Sequence, residues 1–111
     1  MEYFAGLVVS MEETHVCVVD YEGAVVLEGK SASTPEAICR ALRNAPSTCR
    51  QVVFETGRMA PMLYHGLRGL GVAAVCIESR QAHHALQSLR ANKTDRNDAR
   101  GLAQLARTGF Y

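Results

Sequence analysis

The chain has 111 residues, 48% of them hydrophobic, with 12 Lys or Arg against 11 Asp or Glu and a formal net charge of +1. That length supports one modest domain with a real core and excludes two. No apolar run approaches the roughly 20 residues of a membrane span, and no basic segment leads into a signal-type core, so a soluble, cytoplasmic protein without membrane attachment is expected.

Tyr3 to Val9 is apolar and rich in strand formers, His15 to Val19 is a second such run, and Ser10 to Thr14 is polar enough to turn the chain between them. Asp20-Tyr21-Glu22-Gly23 makes the next turn, and Ala24 to Leu27 gives a third strand. Three strands with short links predict an antiparallel meander. Ser33-Thr34-Pro35-Glu36 then opens a helix: Ser33 or Thr34 caps it, Pro35 fits its first turn, and Ala37, Ile38, Ala41 and Leu42 form its inward face.

From there the pattern changes to alternating strand and helix. Gln51 to Phe54 is a short apolar strand ending at Glu55-Thr56-Gly57. Pro61 begins a helix through about Leu70, with Met62, Leu63, Gly66, Leu67 and Leu70 along one side and Gly71 as its C-cap. Val72 to Ile77 is fully apolar, as a buried parallel strand requires. Ser79 to Leu89 reads as helix, Leu89 to Lys93 as a connection, and a last helix opens at Thr94. The expected order is therefore βββαβαβα with a closing C-terminal helix.

That last helix carries the informative stretch. Thr94 is a good N-cap, and Ala99, Leu102, Ala103, Leu105 and Ala106 supply an apolar helical rhythm. Residues three and four apart share a face, so Asp95 and Asp98 fall in line with Leu102 and Leu105, while Arg96, Arg100, Gln104 and Arg107 take the other side. The helix dipole alone favours Asp in a first turn. Two acids continuing an inward stripe ask for more, because buried carboxylates need compensation and a divalent cation is one source of it.

Charge is unevenly spread. Through Gly57 four basic residues face eight acids; from Arg58 onward eight basic residues face Glu78, Asp95 and Asp98. A basic second half suits phosphate contacts, as it also suits a plain solvated helix face. Cys17, Cys39, Cys49 and Cys76 have no C-x-x-C spacing, and Cys17 and Cys76 read as small core residues in strands. Adjacent His83 and His84 point about 100° apart on a helix, which disfavours joint metal ligation, and His15 and His65 each stand alone.

A three-strand meander followed by strand-helix units is the order of the ribonuclease H-like (RuvC-like) fold, a mixed five-stranded α/β sheet. In such open sheets, sites form beyond the carboxyl ends of parallel strands, where Glu55 falls. The stretches Gly6-Leu7-Val8-Val9-Ser10, Phe54-Glu55-Thr56-Gly57, Val75-Cys76-Ile77-Glu78-Ser79-Arg80, Lys93-Thr94-Asp95-Arg96-Asn97-Asp98-Ala99-Arg100 and Leu102 to Gly109 resemble the N-terminal domain of DEDD transposases of the insertion-sequence 110 group. The similarity runs nearly end to end, and Lys93 to Arg100 is its most specific part. It implies a RuvC-like domain whose Asp-Glu-Asp-Asp tetrad binds Mg²⁺ (or Mn²⁺) for DNA strand exchange, with Glu55, Asp95 and Asp98 as the last three members.

The first member of the tetrad is replaced: the first-strand Asp of the family pattern is Val8 here, which can neither ligate a cation nor take a proton. Three acids without it should repel each other and bind metal weakly, so a catalytically impaired copy is expected. Arg58, Arg80, Arg90, Lys93, Arg96 and Arg100 flank the acidic positions and are the candidates for nucleic-acid contacts. The resemblance implies DNA as partner and leaves a structured guide RNA open. Family members continue into a helical region and a second domain with a catalytic serine, so residues 1–111 are expected to be a one-domain fragment. The apolar stripe of the closing helix needs cover, from its own sheet or from a second copy in a homodimer. The alternative from another class is a non-catalytic nucleic-acid-docking or oligomerisation module that keeps the fold. An actin-like phosphotransferase half needs a Gly-rich turn after the first strand, and Ser10-Met11-Glu12-Glu13 is not one.

Overall fold

The computed structural model describes residues 2–78 and 95–109, with the side chains of 95–97 outside that description. The expected helix over Ser79 to Leu89, the connection after it, and the Thr94 cap therefore lie outside the described residues. Five strands form one sheet in the order β3-β2-β1-β4-β5: β1 (Tyr3–Val9), β2 (Glu13–Asp20), β3 (Val25–Ala32), β4 (Cys49–Glu55) and β5 (Ala74–Ile77). The meander β1-β2-β3 is antiparallel, and β4 and β5 run parallel to β1. This is the mixed five-stranded α/β sheet that the sequence predicts.

Both faces are covered, so alternate residues of the central strands bury into two separate cores. Tyr3, Ala5 and Leu7 point toward α1 (Pro35–Leu42) and α2 (Ala60–Gly69), meeting Ile38, Leu42, Leu63 and Leu67. Phe4, Cys17, Val19 and Val53 point the other way, toward α3 (Asp95–Thr108), and meet Ala99, Leu102, Ala103, Leu105 and Ala106. The closing helix thus covers its apolar stripe with its own sheet. Among the described residues no helix is long and apolar enough to cross a membrane.

Local chemistry sets the boundaries. Thr34, not Ser33, caps α1, its hydroxyl accepting from the Ala37 amide at 3.2 Å. Ser33 is buried instead: its hydroxyl donates to the Ser10 carbonyl at 2.6 Å and pairs with the buried Thr14 hydroxyl at 2.8 Å. That bond ties the β1–β2 turn to the β3–α1 link. Gly71 ends α2 with φ +86°, a conformation L side chains avoid.

Several boundaries and one face differ from the sequence reading, β2 and β4 each beginning two residues earlier, at Glu13 and Cys49. β3 runs on through Ala32, because Glu28 to Ser31 keep pairing with His15, Val16, Cys17 and Thr14 although the strand is an exposed edge. β5 begins at Ala74 rather than Val72 and is half-buried, as an edge strand is. On α2 the buried line is Ala60, Leu63 and Leu67, while Met62 and Leu70 are exposed. Gly66 lies so close to the Pro35 ring that a Cβ there would come 2.8 Å from its Cβ, and this contact fixes which side of α2 meets the sheet.

Candidate functional site

β1 and β4 are parallel neighbours, and their chains leave in opposite directions, β1 back into β2 and β4 on into α2 and β5. Such a divergence opens a crevice at the carboxyl ends of the two strands. A cleft of about 270 Å³ opens there between the β1–β2 turn (Ser10, Met11), the end of β4 (Glu55, Thr56) and the start of α2 (Ala60, Leu63), with Val8 and Arg58 also lining it and no described residue of α3.

Register places the residues within it. Gly6 pairs with Val53 and Leu7 with Phe54, so Val8 and Glu55 are the next residues on adjacent strands. Alternation puts both on the face covered by α3, since Val53 and Gly6 lie there two residues earlier. Val8 also pairs with His15, and His15 with Lys30. One row therefore crosses this face as Lys30, His15, Val8, Glu55. Val8 is half-buried against the α3 core, and Glu55 is exposed. The Thr56 amide donates to the Ile77 carbonyl at 2.8 Å, which holds the end of β4 against β5.

α3 crosses this face antiparallel to β1. Its carboxyl-terminal residues Ala106 to Gly109 lie beside Glu2, Phe4 and Arg50, whereas Ala99 lies beside His15, Glu28 and Lys30. Its amino end, with Asp98, therefore sits at the Val8–Glu55 end of the sheet. The helix comes unusually close at Gly6, where a Cβ would be 2.7 Å from Leu102 Cβ and closer still to the Ala99 carbonyl and the Ala103 amide.

The rotation of α3 is equally defined. Arg100 donates from Nε and one terminal nitrogen to the two Glu28 oxygens, at 2.6 and 2.8 Å. Gln104 donates to the Gly23 carbonyl at 2.9 Å, and Arg107 Nε donates to Gln104 Oε1 at 2.8 Å. These bonds turn the Arg100–Gln104 flank toward β2 and β3. Asp98 is 200° around the helix from Arg100 by the 100° step, so its half-buried side chain belongs to the opposite flank, toward β1 and β4. The hydrogen bond to Glu28, followed by its charge, pushes the Arg100 pKa above its ordinary value.

Of the predicted site residues, then, Val8, Glu55 and Asp98 share one end of one sheet face. The side chains of Asp95 and Arg96 lie outside the described residues, as do Arg80, Arg90 and Lys93 and the His83–His84 pair. Among the described residues no group of three His, Cys, Asp or Glu side chains could hold a metal ion. Arg58 is exposed at the rim of the cleft. Arg100 already has a carboxylate, so a phosphate there would compete with Glu28. Tyr64 packs partly buried beside the core, with the Arg68 guanidinium 5.4 Å from its ring centre. Glu28 and Gln104 had no signal in the sequence, because their partners are 72 and 81 residues away.

Comparison with known proteins agrees with this architecture. The family model for DEDD transposases of the insertion-sequence 110 group, described as Transposase, matches residues 5–110. No curated protein sequence matches. Among solved structures, the ethanolamine utilization protein EutJ from Carboxydothermus hydrogenoformans is similar at a TM-score of 0.54 and 19% identity, over 83% of this chain and 42% of that one. The chain thus spans less than half the length of that protein, and the likeness is one of fold.

Proposed function

This chain belongs to the transposase family of the insertion-sequence 110 group, and from that premise we propose that it is the ribonuclease H-like (RuvC-like) domain of a DNA transposase of the DEDD type, shaped for divalent-metal-dependent strand cleavage and exchange. The observation that carries this reading is that Val8 and Glu55 end adjacent parallel strands, with the amino end of α3 crossing the same end of that sheet face.

The donor chemistry fits a hard cation in part. Carboxylate oxygens of Glu55, Asp95 and Asp98 are the ligand type that Mg²⁺ and Mn²⁺ prefer. Val8 supplies only methyl groups in the row beside Glu55. A bound cation would stabilise charge on the entering and leaving oxygens of a phosphodiester exchange. The remaining work falls to this chain's cations: Arg58, Arg80, Arg90, Lys93 and Arg96 contact phosphates and position the strand, and Arg100 joins them only by sharing Glu28. Without an acid at position 8 one oxygen ligand beside Glu55 is missing, so metal is bound weakly and the domain alone is catalytically impaired.

Val8 also favours a second reading, a nucleic-acid-docking or oligomerisation module that has kept the fold without the chemistry. Calorimetric titration of Mn²⁺ into the chain and into Val8→Asp separates them. A tighter site gained on restoring the acid supports the metal-dependent reading, whereas equal affinity before and after refutes it. Salt-dependent binding of branched DNA or structured RNA, with no metal site in either form, is the result the docking module requires.

A further inference from the structure

β3 is the outer strand of the sheet, and its sequence does little to discourage a further strand. It is 8 residues long and contains no Pro, and Val25, Val26, Gly29, Lys30 and Ala32 are exposed along it. Edge strands are ordinarily kept short or blunted by Pro or a row of lysines. The direction of its backbone groups follows from the ladder with β2. The Ser33 amide donates to the Glu12 carbonyl at 3.1 Å, in the pair next to Glu13–Ala32. Bonded pairs alternate in an antiparallel ladder, so Leu27, Gly29 and Ser31 turn their amides and carbonyls toward β2, while Glu28, Lys30 and Ala32 turn theirs outward.

We infer that β3 is a self-association surface: it pairs antiparallel with β3 of a second copy about a two-fold axis at Gly29, joining two five-stranded sheets into one. Charge selects a second copy as the occupant. Residues directly opposite in antiparallel strands point to the same face and interact. With Gly29 on the axis, Glu28 stands opposite Lys30 of the second copy, and the same pair repeats across the axis. Leu27 then stands opposite Ser31, and Val26 opposite Ala32. Moving the axis to Glu28 or to Lys30 sets like charges on each other, which is unfavourable. Gly29 suits the axis because its pair is of the closer, non-bonded kind and carries no side chain. Glu28 lies on the α3 face with its oxygens held by Arg100, and a carboxylate has further lone pairs for an ammonium. Lys30 meets Glu13 at 3.7 Å in an exposed pair of the weak kind, from which it can turn at little cost. A two-fold contact of this sort is self-complementary and closes on itself. The carboxyl ends of β1 and β4 in the two copies then lie at opposite edges of the joint sheet, with both α3 helices on one face.

Sedimentation velocity of the full chain from micromolar to millimolar concentration tests the association, which should be a weak monomer–dimer equilibrium, as a single strand pair is a small interface. Lys30→Pro removes an outward amide and spares the bonds to β2, so it should leave a folded monomer. Lys30→Glu sets two like-charged pairs opposite each other and should weaken the dimer about 10-fold, which keeps the test decisive if Pro prevents folding. Register is read by cross-linking Gly29→Cys and Ser31→Cys in a Cys76→Ser background, the other cysteines being buried. A Cβ at Gly29 meets nothing within 4 Å, so the first variant should fold as the parent does. With diamide as oxidant, Gly29→Cys should form a disulfide dimer. Ser31→Cys should not, since its counterpart lies roughly 13 Å away along the strand, beyond the reach of a disulfide. A chain that stays monomeric to millimolar concentration overturns the inference. So does a dimer that both Lys30 variants leave intact, or one in which Ser31→Cys cross-links as readily as Gly29→Cys.

Discussion

Gly6→Ala is the substitution to which this fold should be most sensitive for its size. The added Cβ would lie 2.7 Å from Leu102 Cβ and nearer to two backbone atoms of α3, where ordinary contact is 3.4–4 Å. Backbone cannot rotate aside as a side chain can, so α3 must retreat by roughly 1 Å. A gap of about that size forfeits a quarter to a half of the dispersion well for the facing atoms. The gap would open along the whole stripe of Ala99, Leu102, Ala103, Leu105 and Ala106 against Phe4, Cys17, Val19 and Val53. Overpacking of this kind costs about 1–3 kcal/mol, with backbone contacts favouring the upper end. Replacing Gly by Ala in a strand returns about 0.5–1 kcal/mol. The net is a loss of about 2 kcal/mol, or a melting temperature lower by roughly 10 °C for a domain of this size. Urea unfolding followed by circular dichroism measures it, with Gly29→Ala as control, since a Cβ at Gly29 meets nothing within 4 Å. A Gly6→Ala protein as stable as the Gly29→Ala protein would refute the close approach of α3, and with it the position of Asp98.

Three smaller effects follow from the same structure. Burial pushes the Cys49 thiol from 9.0 up to about 11, so the folded state holds its proton longer than the unfolded chain; stability should fall between about pH 9 and 11, by about 1.4 kcal/mol per pH unit, and Cys49→Ala should flatten that slope in pH-dependent urea melts. Thr34→Ala removes the hydroxyl that accepts from Ala37 and should cost about 1 kcal/mol in the same assay. Ser33 spends its proton on the Ser10 carbonyl, so the Thr14 hydroxyl is the donor to Ser33; Thr14→Val should cost about 1 kcal/mol and speed hydrogen exchange at the Ser10 amide, which bonds Glu13 in that turn.

The apolar runs made most of the sheet readable in advance. β1 spans Tyr3–Val9 as expected, because both of its faces are buried and its sequence is continuously apolar. The apolar pattern of β3 stops at Leu27, since an exposed edge strand carries polar residues such as Glu28 and Lys30 and loses the alternation that marks a strand. The side of α2 that meets the sheet depends on Gly66 resting against Pro35, a contact between two helices that no single-helix periodicity contains. For the site, position at the end of β4 and on the inward flank of the last helix pointed to Glu55 and Asp98. What holds Asp98 there was not legible. Gly6 looks like an ordinary small residue in a strand until Ala99 is brought over it, and Glu28 and Arg100 are unremarkable charges until α3 is laid across β2 and β3.

The central claim is that the carboxylates of Glu55 and the first turns of α3 face a common point beside position 8. A crystal of Val8→Asp soaked in Mn²⁺ tests it through the anomalous signal of the metal. The account predicts a peak at the carboxyl ends of β1 and β4, within bonding distance of residue 8, Glu55 and an acid of α3. A metal bound elsewhere, with Glu55 and Asp98 turned to separate patches of solvent, would contradict it.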